Sequence, residues 1–267
     1  MTTGSGPIRS PAVEEYTEFD DPGGFDRFIR AHTALGAVPY VPEIRLHLAR
    51  PGTAPPGDLA ADAGPTAAGA RGHQAADPPA GGNPGAATGE EADDRLYEMW
   101  ERLGRLPFWA YAWAGGQALA RHVLDNPELV RGRTVLDLAT GSGLVAVAAA
   151  MAGAARVIAN DVDPHALAAA ALNARANAVA VTVRGGDLLD STPAEDVILA
   201  GDVFYERPLA RRVMPFLERA GGVVLVGDPE RACSYLPRDR FQPAGRHMVP
   251  APLENAPVTT TTIWHRV

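Results

Sequence analysis

The sequence predicts a doubly wound α/β domain, with a mostly parallel sheet covered by helices on both faces. Three observations predict it. From Arg95 onward, short apolar runs alternate with segments of helical spacing. A glycine-rich turn, Gly141-Ser142-Gly143, follows the first such run. Acidic residues recur at or near the ends of successive runs, at Asp137, Asp161 and Asp187.

Leu96, Met99, Trp100 and Leu103 have helical spacing, and a second helix is predicted over 116–124. Residues 134–138 read as a short buried strand, and 144–152 as an alanine-rich helix stopped by Gly153. A strand over 157–159 follows. Asp163-Pro164 then opens a helix running to about Asn177, with Asp as cap and Pro in the first turn. Further strands are predicted at 179–183, 196–200 and 223–226, with a helix over 208–217. Extended pieces near 246–249 and 258–264 form a last, antiparallel pair and bring the sheet to seven strands. In such sheets ligands bind beyond the carboxyl ends of the strands, which singles out the loops after Leu138, Ala159, Val183 and Ala200.

Upstream, Phe25, Phe28 and Ile29 have helical spacing and precede the proline-punctuated Val38-Pro39-Tyr40-Val41-Pro42. Residues 1–48 read as a helical extension packing on the core. Residues 49–94 are Ala, Gly and Pro with almost no large apolar side chains, too little to offset ordering entropy, and read as a disordered insertion. Residues 95–267 form the main domain.

Composition narrows the chemistry. Of 267 residues, 46% are hydrophobic and 21% charged, as in ordinary globular proteins. A net charge of -8 argues against a broad nucleic-acid surface. No apolar run is long enough to span a membrane, and the first ten residues lack a signal-peptide pattern, so a cytoplasmic address is expected. The single cysteine, Cys233, cannot form an internal disulfide. Every one of the 24 basic residues is arginine, which excludes Schiff-base lysines and Walker-type phosphate loops. The seven histidines show no ligand spacing, and no metal is expected. His122 and His165 read as exposed helix residues, Asn173 and Asn177 as stabilisers of their own helix and its exit turn.

Gly141-Ser142-Gly143-Leu144-Val145-Ala146 fits the dinucleotide fingerprint of Rossmann-like folds, with Asp161 where a ribose-binding acid belongs. Alone, the pattern serves a nicotinamide enzyme as well as a methyltransferase. Charge separates them. A pyrophosphate docks on the helix N-terminus, and Asp137 beside that place repels it. S-adenosylmethionine carries an ammonium and a sulfonium and no phosphate, so an acidic cleft suits it. Asp161 is expected to take the ribose hydroxyls, and Asp187 or its neighbouring backbone to face the adenine amino group.

The chain also resembles the seven-strand protein-lysine methyltransferases, above all the electron transfer flavoprotein beta-subunit lysine methyltransferase family. The resemblance covers 25–48 and the region from Arg95 onward. It rests on Val41-Pro42-Glu43-Ile44-Arg45-Leu46-His47-Leu48, Pro107-Phe108-Trp109-Ala110-Tyr111-Ala112-Trp113-Ala114-Gly115-Gly116, the glycine loop, and Asn160-Asp161-Val162-Asp163-Pro164. Gly186-Asp187-Leu188-Leu189-Asp190, Ala200-Gly201-Asp202-Val203-Phe204-Tyr205 and Gly227-Asp228-Pro229 complete it. Asp202-Val203-Phe204-Tyr205 matches the family's acid, two residues, then Tyr or Phe. Ala139 departs from the commoner glycine.

The resemblance implies S-adenosylmethionine as cofactor, bound by Trp113, Asp137, Ala139, Thr140, Gly141 and Gly143, with Asp161, Asp187, Leu188 and Gly201 completing the set. It implies methyl transfer to a lysine amine of a protein, such as an electron transfer flavoprotein beta subunit. An ordinary lysine, with a pKa of about 10.4, must lose its proton before attack. Asp202 is the candidate to orient the amine or take that proton, with Tyr205 fixing the side chain. Trp109 and Phe204, with Tyr111, are candidates for cation–π contact with the acceptor. Small-molecule N- or O-methyl transfer, nicotinamide-dependent redox chemistry and a non-catalytic scaffold remain as alternatives.

Overall fold

The computed structural model describes residues 14–16, 24–49, 107–231, 234–251 and 257–267. The helix expected near Leu96, the insertion beyond Ala49 and Cys233 lie outside them.

The strands are β1 (Glu14–Tyr16), β2 (Ala34–Val38), β3 (Val41–Leu48), β4 (Thr134–Leu138), β5 (Arg156–Asp161), β6 (Thr182–Gly185), β7 (Val197–Gly201), β8 (Val223–Pro229), β9 (Phe241–Pro250) and β10 (Val258–Arg266). The helices are α1 (Phe25–His32), α2 (Ala114–Asp125), α3 (Leu144–Met151), α4 (Pro164–Ala176) and α5 (Arg207–Arg219). The main sheet runs β1-β6-β5-β4-β7-β8-β10-β9. β6, β5, β4, β7 and β8 are mutually parallel, whereas β10 is antiparallel to both β8 and β9. The seven strands expected from the sequence are therefore present, and β1 adds an antiparallel eighth at the edge.

Alternation along the parallel strands builds two cores. Val135, Val157, Ala159, Val197, Leu199 and Leu225 pack with α2, α3 and α4 on one face. Their neighbours Leu136, Leu138, Ile158, Ile198, Ala200, Val224 and Val226 pack with α5 on the other. Both faces are dry because side chains of period two divide evenly between them. β4 has β5 on one side and β7 on the other, so the chain's crossovers diverge there and open a crevice at its carboxyl end.

The extension is less helical than the sequence suggests. After α1, β2 and β3 form a hairpin through a two-residue turn at Pro39-Tyr40. The hairpin is fastened to α4 by two asparagines. Asn177 Oδ1 accepts from the Arg45 amide at 2.9 Å, and its Nδ2 donates to the Arg45 carbonyl at 2.7 Å. Asn173 Oδ1 accepts from the His47 amide at 2.8 Å. Residues four apart on a helix rise about 6 Å, close to the roughly 6.6 Å spanned by two residues of a strand, so two helical side chains can match an extended backbone. Asn177 Nδ2 also donates to the Asn173 carbonyl at 2.7 Å, so it serves its own helix as expected, and both asparagines hold the hairpin besides. α1 adds an Arg175–Asp26 ion pair at 2.7 Å and packs Phe25 and Phe28 on His165.

Candidate active site

The loop after β4 turns by left-handed backbone at Ala139 (φ 53), Gly141 (φ 53) and Gly143 (φ 80). Ala139, where glycine was the commoner expectation, holds that conformation at a cost of about 1–2 kcal/mol. A Cβ on Gly143 would lie 2.8 Å from the Ala170 Cα, so glycine lets α3 pack on α4. At Gly141 the same atom would meet only the Trp109 Cα, at 3.9 Å, which leaves that side of the loop open.

Asp137 lies beneath the loop, 1% exposed. Its Oδ2 accepts from Thr140 Oγ1 at 2.5 Å and from the Ala146 amide at 3.0 Å. The Asp137 carboxyl thus already takes an amide in the first turn of α3 that a docked phosphate would need. Burial pushes the Asp137 carboxyl up to about 7, against those two hydrogen bonds.

Asp161 ends β5 at the same level. Its Oδ2 accepts from the Gly141 amide and its Oδ1 from the Asp163 amide, both at 3.0 Å. Each oxygen keeps a further lone pair, enough for two vicinal hydroxyls. Burial raises its carboxyl above the ordinary range. Asn160 braces the neighbouring turn, donating to the carbonyls of Arg184 and Gly186 at 2.8 and 3.0 Å. Of the two groups the sequence offers for the adenine, the Asp187 side chain or the backbone beside it, the side chain is engaged elsewhere: its Oδ2 accepts from Arg212 at 2.7 Å, and its Oδ1 from the Leu189 amide. Partial burial opposes its ionisation, but the Arg212 hydrogen bond prevails and lowers its pKa. Leu188 beside it is buried.

Beyond β7, Asp202 has φ 62. Its amide donates to the Gly227 carbonyl at 2.8 Å, and its Oδ2 accepts from the Gly115 amide, in the first turn of α2, at 3.0 Å. Glycines permit this: a Cβ on Gly201 would lie 2.9 Å from the Gly116 Cα. Tyr205 is pushed up to about 12 by burial and by the charges of Glu206, Asp202 and Asp161. It therefore remains a phenol, suited to orient a substrate and not to take its proton.

The aromatic assignments need correction. Phe204 is wholly buried and packs on Phe241 in the α5-side core. Trp109 is 1% exposed, stacked on His165 and edged by Phe28, and Tyr111 is also buried. None of the three presents a face to an incoming substrate. Phe108 is 40% exposed, with its ring 5.8 Å from Tyr205 and 5.9 Å from Trp113. Trp113 Nε1 donates to the Phe108 carbonyl at 2.9 Å, which fixes the rim. His165 is not an exposed helix residue but the middle of the Phe25, Phe28 and Trp109 cluster. His122 is half-buried against His247.

Two further residues lie at the carboxyl end of β8: Asp228, in the strand and within the Gly227-Asp228-Pro229 match, and Arg231, in the turn after it. Asp228 is 3% exposed, pushed up to about 6 by burial, and accepts from Ser234 Oγ at 2.7 Å. Arg231 pairs with Asp202. The rule that points to carboxyl ends of strands applies equally here, and Asp228-Pro229-Glu230-Arg231 satisfies it.

These residues fit S-adenosylmethionine. The loop has an open glycine face and an acid beneath it, and Asp161 offers paired acceptors. The Trp109 indole N–H, whose Cα lies next to the open side of Gly141, is buried without an acceptor in the protein, and a ligand carboxylate would supply one. By contrast, a depression of about 810 Å³ lined by Arg133, Glu195, Asp196, Arg219 and Gly222 lies at the amino ends of the strands, away from all of this chemistry.

The loop is also tied to the extension. Asn173, fully buried, donates from Nδ2 to the Ser142 carbonyl at 2.8 Å while holding His47 through its Oδ1. Asn173→Ala leaves a buried amide and a buried carbonyl unpaired. A loss of about 2–4 kcal/mol in urea unfolding is expected, with weaker binding of S-adenosylhomocysteine by calorimetry. Unchanged binding would show that the loop holds its shape without the extension.

The family model described as ribosomal protein L11 methyltransferase (PrmA) matches residues 118–221. The chain is 38% identical over 179 residues to the electron transfer flavoprotein beta subunit lysine methyltransferase of Mus musculus, covering 62% of this chain and 70% of that one. The Homo sapiens protein of that name is 37% identical over 182 residues, covering 62% and 68%. The Danio rerio protein is 45% identical over 132 residues, covering 47% and 51%. Magnesium protoporphyrin IX methyltransferase from Synechocystis PCC 6803 superposes with a TM-score of 0.47 at 16% identity, covering 64% and 91%. A nicotinamide enzyme is thereby set aside: the chain belongs to the electron transfer flavoprotein beta subunit lysine methyltransferase family and is an S-adenosylmethionine-dependent methyltransferase.

Proposed function

We propose that this enzyme methylates the side-chain amine of a protein lysine, with an electron transfer flavoprotein beta subunit as acceptor. The observation that carries the reading is the Asp202-to-Tyr205 turn at the carboxyl end of β7, beneath the Phe108 and Trp113 rim, in a chain related to enzymes named for that reaction.

When bound, S-adenosylmethionine supplies an electrophilic methyl carbon on sulfur; the amine lone pair forms the new N–C bond as the C–S pair returns to sulfur. The chain's task is alignment and protonation state. Asp161 would accept from the ribose hydroxyls, the 139–143 loop would hold the amino-acid portion near Asp137, and the backbone at Asp187 and Leu188 would face the adenine. Phe108, Trp113 and Tyr205 wall an apolar mouth in which an ammonium is poorly solvated, which favours the neutral amine. Asp202 orients that nitrogen and Tyr205 bounds its side chain, while the released proton passes to water.

The test is to incubate the enzyme with labelled S-adenosylmethionine and a purified electron transfer flavoprotein beta subunit, then locate the label by peptide mass spectrometry. Label on lysine is expected, and its loss in Asp202→Asn with S-adenosylhomocysteine binding retained. An unlabelled acceptor, with cofactor binding intact, would sink the assignment.

A further inference from the structure

The acceptor carboxylate already holds a cation. Arg231 Nη1 donates to Asp202 Oδ1 at 2.5 Å and its Nη2 to Oδ2 at 3.2 Å, a two-point grip. The pair is not sealed: the arginine side chain is 21% exposed and the aspartate 9%. Arg231 stands on a tight turn leaving β8, its amide donating to the Pro229 carbonyl at 2.7 Å and its carbonyl accepting from the Ser234 amide at 3.2 Å. The turn aims the guanidinium back at β7. The Gly115 amide holds the same carboxylate from behind, and Asp228 lies one strand position away.

We propose that Arg231 is a placeholder for the acceptor cation: it occupies the Asp202 carboxylate until a substrate lysine displaces it, and so sets the threshold for acceptor binding. The inference rests on the reading of Asp202 as the acceptor-end carboxylate. Arginine suits the task because its guanidinium stays charged and is a far weaker nucleophile than a neutral amine, so it holds the carboxylate without competing for the methyl group. A lysine at this place would be a substrate in cis. The chain contains no lysine anywhere.

Two variants test this. Arg231→Lys is incubated with S-adenosylmethionine alone and followed by intact and peptide mass spectrometry. Once the new amine has lost its proton to water, its lone pair takes the methyl carbon and the C–S pair returns to sulfur, leaving S-adenosylhomocysteine. Methyl groups are expected on the substituted side chain, at a first-order rate independent of enzyme concentration, and none on the wild type. Arg231→Gln removes the competing cation. Its KM for an electron transfer flavoprotein beta subunit is expected to fall about five- to tenfold, with kcat within about twofold. A role limited to propping Asp202 predicts the reverse, a raised KM or a lost kcat. An unmodified substituted side chain in a variant that binds S-adenosylhomocysteine overturns the proposal, as does a KM for Arg231→Gln that is unchanged or raised. A wild type that labels no lysine of that acceptor sinks the acceptor assignment instead, and the Arg231→Lys experiment, which needs no acceptor protein, still decides the placeholder.

Discussion

Gly227→Ala is expected to cost about 3 kcal/mol or more of stability and to abolish methyl transfer. A Cβ there would lie 2.2 Å from the Gly115 carbonyl oxygen and 3.1 Å from the Leu119 Cβ. The obstruction is backbone, so no rotamer change relieves it. Relief requires the first turn of α2 to back away from β8. That movement carries with it the Gly115 amide, which holds Asp202, and opens the bond from the Asp202 amide to the Gly227 carbonyl. With φ 62, Asp202 keeps its strained turn only while these ties persist. Urea midpoints measure the stability term and single-turnover transfer the catalytic one. Gly221→Ala is the control: nothing lies within 4 Å of its added carbon, and a change within about 0.5 kcal/mol is expected. Equal midpoints for the two variants would mean that α2 can draw back from β8 at Gly115 without loss of stability.

What the sequence shows and what it hides divide along physical lines. The strand over 134–138 is legible to the residue because it is short, buried on both faces by Val135, Leu136 and Leu138, and ended by a glycine turn. The acids at strand ends are legible for the same reason, since topology alone brings Asp137, Asp161 and Asp202 to one crevice. Predicted strand 179–183 is displaced to β6. Val179 and Val181 are apolar because they pack sideways on the core, after a left-handed turn at Ala178 (φ 54), before pairing begins. β9 is far longer than four residues, yet it lies at the sheet margin with Gln242, Pro243 and Ala244 exposed, so no alternation announces it. The β2–β3 hairpin is hidden because part of its backbone is satisfied by side chains of α4, 126–132 positions away. Aromatic residue type likewise does not encode direction: Phe108 and Trp109 are adjacent, and one lines the mouth while the other fills the core. Arg231 is one arginine among 24, and only the turn after β8 distinguishes it.

Asp137→Asn is expected to stabilise the cofactor-free protein near pH 8 by about 2 kcal/mol, and by little or nothing near pH 5. Burial raises this carboxyl from 3.8 to about 7 in the folded chain. Between those values the folded state binds a proton that the unfolded state has released. The stability it contributes is full below 3.8, declines as pH rises through that interval, and is gone above 7. The whole interval corresponds to about 4 kcal/mol in the wild type. Asparagine does not titrate and escapes this loss. It still accepts from Thr140 and the Ala146 amide, though less strongly than a carboxylate, which offsets part of the gain. Asp161 and Asp228 are raised in the same direction and reinforce the alkaline decline of both proteins. His47, His122 and His247 are lowered by burial, so their contribution is present above 6.5 and lost as pH falls. These five groups are common to wild type and variant, so the difference between the two proteins reports Asp137 together with its charge coupling to Asp161. Urea unfolding of both near pH 5 and pH 8 measures it. S-adenosylmethionine should then reverse the ranking, because its ammonium and sulfonium stabilise the ionised wild-type carboxylate and not an amide. A difference that is flat with pH would place the proton elsewhere; a ranking unmoved by cofactor would mean that Asp137 braces the loop without sensing the charge above it.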